Sequence, residues 1–142
     1  MESSEFDQII KSYRTKHPFW FEGDIEAPTT EDELAAFEEA VGAGLPAEYK
    51  YLVGRYGSGH FAFTNILSVR DGGWSIRAAQ SFLPKDFIPV SDNECGDFYG
   101  FLVEDGSCRP ELYFADHDDG YSLLQTNYKN MFEYIVGVGL KP

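Results

Sequence analysis

Apolar positions recur at helical spacing in four places along this chain and at strand spacing between the third and the fourth. In "SSEFDQIIKSYRTKH" Phe6, Ile9, Ile10 and Tyr13 fall on one face, which predicts a first helix ending before Pro18, with Ser3 or Ser4 as its cap. An aromatic, turn-rich connector, "PFWFEGDIEAP", follows. In "TTEDELAAFEEAVGAGLP" Thr30 stands three residues before Glu33, the spacing of a capping box. Leu34, Phe37 and Val41 then share a face, and Gly42 and Gly44 end the second helix. A third helix starts near Pro46, buries Tyr49, Leu52, Val53 and Tyr56, and stops at Gly57.

After Gly59 the period shortens. "HFAFTNILSV" reads as one or two strands, "DGGW" as a turn and "SIRAAQSFL" as a short helix. "FIPV", "DFYGFLV", "ELYFADH" and "YSLLQ" are apolar runs bounded by turn residues, hence strands, with "EDGSCRP" a hairpin turn. The last helix is expected in "TNYKNMFEYIVGVG", capped by Thr126, with Tyr128, Met131, Phe132, Ile135 and Val136 inward. Helices, then strands, then a helix predict an α+β fold with a mostly antiparallel sheet. The 142 residues suit one domain, 1–142, without a repeat or a linker.

Charge changes the picture more than length does. Lys and Arg total 11 against 24 Asp and Glu, a formal charge of −13. Such a chain repels nucleic acid and anionic lipid, so neither is expected as a partner, and a basic protein is favoured. The N-terminus lacks a signal core and no apolar run is long enough to span a bilayer; two cysteines form no disulfide framework. A cytoplasmic protein is the expectation.

Candidate chemistry is sparse. Cys95, Cys108, His60 and the "ADHDDG" run around His117 are of ligand type, but their spacing fits neither a zinc site nor a calcium loop. No metal and no cofactor are expected. A Cys95 nucleophile paired with His60 or His117 is disfavoured by its acidic neighbours Glu94 and Asp97. No phosphate-binding glycine loop or nucleophile elbow occurs, and a non-enzyme is expected. The carboxylates Glu94, Asp97, Asp116, Asp118 and Asp119 are instead the candidate rim for docking a basic partner. "VSDNECGD" reads as a strand end and tight turn, with Asp97 bonding backbone and Gly96 permitting the turn.

The motifs also resemble, in order, those of the SUKH superfamily, named partly for homologues of a yeast cell-wall regulator. The matching positions are Thr30, Glu33 and Leu34 in the capped helix, and Leu45, Pro46 and Tyr49 in the next. Phe87, Pro89, Val90, Asp92, Gly96 and Asp97 match in a strand and turn, and Tyr113, Asp116 and His117 in a later strand. The similarity spans about residues 25–136. "RYGSG" replaces the family's usual glycine-rich ending of the third helix, and Tyr121 stands near the place of a frequent Trp; both departures concern the choice of partner rather than the fold. The resemblance implies a bacterial immunity protein that binds and neutralises a cognate polymorphic toxin, often a nuclease, without catalysis. The alternative it implies is a regulatory interaction scaffold without a toxin.

Overall fold

The computed structural model describes residues 1–142. Helix α1 (Ser3–Lys16) is followed by a short 3-10 turn, Pro18–Phe21, and by α2 (Glu31–Val41) and α3 (Ala47–Tyr56). The strands come next: β1 (Gly59–Phe61), β2 (Thr64–Ile66), β3 (Phe87–Asp92), β4 (Phe98–Glu104), β5 (Ser107–Cys108), β6 (Tyr113–Asp116) and β7 (Ser122–Gln125). Helix α4 (Ile76–Gln80) lies between β2 and β3, and α5 (Met131–Tyr134) closes the chain with a wider turn over Ile135–Gly139. Every strand pairing is antiparallel, in the order β1-β2-β3-β4-β6-β7, with β5 paired to β4. The architecture is the expected α+β arrangement.

The capping box forms as its spacing predicts. Thr30 Oγ1 accepts from the Glu33 N–H at 3.2 Å, and Glu33 Oε1 accepts from the Thr30 N–H at 3.0 Å. The same carboxylate takes Arg70 in a fork, Nε at 2.6 Å and Nη2 at 2.8 Å. These bonds, the Arg70 side chain first, hold Glu33 down at about 2. Arg70 also donates to the carbonyls of Ala27 and Pro28, so one guanidinium ties the strand region to the start of α2.

Two boundaries differ from the sequence expectation. Ser3 and Ser4 lie inside α1, which follows Glu2 without a side-chain cap. The last helix starts later than Thr126: Asn130 is its cap, accepting from the Glu133 N–H at 3.0 Å. Thr126 instead donates to the Leu112 carbonyl at 2.7 Å and accepts from the Tyr128 N–H, so it fixes the chain leaving β7. Tyr134, not counted on the inward face from spacing, is buried beside Met131, Phe132 and Ile135.

The core lies between the helices and one face of the sheet. Phe6 stacks on Phe132 at 4.5 Å, joining α1 to α5, and Tyr49 of α3 meets Phe101 of β4 edge-on. Inside this layer Tyr134 Oη, Ser91 Oγ and Thr64 Oγ1 form a closed hydroxyl triangle with edges of 2.7, 2.8 and 3.2 Å. Tyr134→Phe would leave Ser91 and Thr64 bonded to each other. Its expected cost is therefore about 1 kcal/mol, rather than that of an orphaned group, and is measurable by urea denaturation.

Candidate functional site

Across the sheet, register sets a row: His60 beside Asn65, Asn65 beside Asp92, Asp92 beside Phe98, and Phe98 beside the buried Ala115. The β3–β4 loop and the β6–β7 loop leave the sheet at one end of this row. Their short polar side chains shape them. Asn93 Oδ1 accepts from the N–H groups of Cys95 (2.9 Å) and Asp97 (3.2 Å), and Asp92 Oδ1 from that of Glu94 (3.2 Å). In the second loop Asp116 Oδ1 accepts from the Asp118 N–H at 2.9 Å.

Asp97 and His117 clasp the two loops together. Asp97 Oδ1 accepts from the His117 N–H at 2.9 Å and lies 2.6 Å from its Nδ1, while Asn93 Nδ2 donates to Oδ2. Gly96 has φ +96°, and a Cβ there would sit 3.2 Å from the His117 ring, so glycine permits both the turn and the close approach. The expectation that Asp97 bonds backbone is met, and more: its side chain is only 13% exposed, so it holds the rim rather than presenting charge.

The hydrogen bonds from the His117 side chain and N–H lower Asp97 to about 2, and the same Asp97 contact raises His117. Asp97 stabilises the fold above its ordinary value of 3.8, and this is lost as pH falls through about 2. His117 stabilises it below 6.5, and this is lost as pH rises through its raised folded value. The clasp is therefore expected to be strongest between about pH 4 and 6.5. Denaturation midpoints against pH should show this as an excess over His117→Gln that shrinks on both sides of the window.

The other candidate residues differ in availability. Glu94 is exposed at φ +61°, with His60 Nε2 3.9 Å away. Asp118 is open, its side chain 83% exposed, with His117 Nε2 3.1 Å from Oδ1. Asp119 is exposed, whereas Asp116 is half-buried and occupied in its turn. All ion pairs made by Lys or Arg lie elsewhere, on Asp7, Glu26, Glu33, Glu38, Glu104 and Glu111. The rim carboxylates are thus without a basic neighbour other than histidine. Asp97, Asp116 and His117 offer ligand-type atoms within 4.8 Å of one another, and hydrogen bonds within and between the loops already engage all three. Cys95 is exposed, and burial pushes the Cys108 thiol up to about 12, far from a thiolate.

Sequence reasoning missed Asn65. It is buried in β2, donates through Nδ2 to Asp92 Oδ1 at 2.9 Å, and leaves Oδ1 without a partner. With His60, Phe63, Asp92 and Glu94 it lines a cavity of about 280 Å³ beside the rim. The signal for it was an Asn inside an otherwise apolar strand, "FTNIL".

The family model SUKH_6, described as SMI1-KNR4 cell-wall, matches residues 31–135. The chain belongs to the SUKH superfamily. The matched span runs from the capped helix α2 to the end of α5, and so includes both clasped loops. No curated protein matches the chain significantly. No helix is long and apolar enough to cross a membrane.

Proposed function

We propose that this SUKH protein is an immunity protein: it binds a cognate toxin domain in the cytoplasm and blocks it by covering its active surface, without catalysis of its own. One observation carries this reading. Glu94, Asp118 and Asp119 are held out on two loops locked by Asp97 and His117, and no Lys or Arg neutralises them. In a chain of charge −13 this is a preorganised anionic edge. Its natural complement is a protein that itself binds polyanion, such as a nuclease-type toxin domain with a basic substrate cleft. Carboxylates placed there occupy phosphate positions. The test is co-production with a toxin-like domain encoded in a neighbouring gene. Recovery of growth that needs the intact chain supports the reading, and continued killing despite folded protein overturns it.

The cell-wall description of the matching family favours one second reading, a regulatory scaffold for cellular proteins without a toxin. Capture of the same cellular partner by this protein in cells with no toxin-like gene would select it.

A further inference from the structure

The cavity beside the rim has the attributes of a receptor for one kind of side chain. Its buried Asn65 Oδ1 is an acceptor with no donor, a costly state for a polar atom removed from water. The Asn65 nitrogen is committed to Asp92, and the neighbouring chain leaves β3 through the same carboxylate. Asp92 and Glu94 bring two carboxylates to the wall, and no Lys or Arg lines it. The nearest ring nitrogen of His60 is 3.9 Å from Glu94, beyond hydrogen-bond reach.

One wall is apolar. Phe63, at the tip of the β1–β2 turn, is 44% exposed although its backbone is anchored by its N–H to the Gly139 carbonyl at 2.8 Å. Trp20 supports it edge-on with ring centres 4.8 Å apart, and Trp20 in turn stacks on His17 at 3.9 Å. The aromatic wall is therefore prebuilt. The guest that fits is cationic, planar and rich in N–H donors. A guanidinium meets all three conditions, whereas an ammonium lacks the flat face and the fork. The larger groove between α2 and α3 also holds an unpartnered oxygen, Thr29 Oγ1, but Lys50 and Arg55 balance Glu31 and Glu38 there, so it selects no charge.

We propose that this cavity seats an arginine side chain of the protein partner, the guanidinium lying on Phe63 and donating to Asn65 Oδ1, Asp92 and Glu94. The inference rests on the reading of the chain as a binder of a basic protein, and it adds the residue type that anchors the complex. It is testable without any toxin. 15N-labelled protein would be titrated with N-acetyl-arginine methylamide, with the lysine and citrulline counterparts run in parallel.

Saturable shifts confined to residues 60–65 and 92–94, including the Asn65 side-chain amide, are expected with arginine, and none with citrulline. Lysine should bind more weakly. Glu94→Gln keeps the side-chain size at an exposed turn and should weaken arginine binding about tenfold. Phe63→Ala, at an exposed tip, should weaken it severalfold. Both variants are checked for folding in the same spectra. Absence of saturable shifts, equal shifts with citrulline, or equal affinity for lysine overturns the proposal. Arginine binding in a chain that has no toxin partner would retain the cavity assignment and remove the immunity reading.

Discussion

Replacing Gly57 by alanine should destabilise the protein by about 4 kcal/mol and lower its melting midpoint by more than about 10 °C. Two costs coincide at this residue. Gly57 ends α3 at φ +87° and ψ 178°, a conformation essentially confined to glycine. A Cβ there would also stand 2.2 Å from the Glu26 carbonyl oxygen. Glu26 has little room to retreat: its N–H donates to the Ser58 carbonyl at 2.7 Å, and its carboxylate holds Ser68 Oγ at 2.7 Å. Against a typical total of about 5–15 kcal/mol the loss is large. A urea titration of Gly57→Ala reads it directly, and a change below about 1 kcal/mol would mean that the connector before α2 is not fixed as described.

The second large effect is kinetic. The double substitution Glu94→Lys and Asp119→Lys reverses two exposed charges while leaving the Asp97–His117 clasp and its Asp118 contact intact. Its association with a basic toxin domain should slow by about 10–100-fold at low salt, and the salt dependence of the on-rate should flatten. The unfolding midpoint should stay close to that of the unmodified protein, because neither side chain holds another element in place. Asp97→Lys is expected to act differently. It places a cation against His117 and Asn93, opens the two loops, and loses stability together with binding. Stopped-flow association beside a denaturation curve separates the two cases, and an unchanged on-rate in the double variant would move the interface off this edge.

The helices up to Gly57 were legible because their signals are local. Thr30 and Glu33 cap each other within one turn, and Gly57 marks its own termination by backbone geometry. The strands were legible from short apolar runs between turn residues. What the sequence hid depends on distant contacts. Thr126 looks like a helix cap, yet its hydroxyl is drawn to Leu112, and Asn130 takes the capping role. Asp97 looks like one more rim carboxylate, yet His117, 20 residues away, consumes it. Asn65 has no distinguishing neighbour in sequence; only pairing with Asp92 across the sheet uses its nitrogen and strands its oxygen. The acidic rim was thus readable as a region, while the division between residues that build it and residues that face outward was not.

Calorimetric titration of this protein with a toxin-like domain encoded in a neighbouring gene, at about 50 and 500 mM salt, decides whether the acidic edge docks a toxin. One-to-one, nanomolar binding at low salt that weakens by at least about tenfold at high salt is expected. No binding, or binding of the same strength at both salt concentrations, would contradict it.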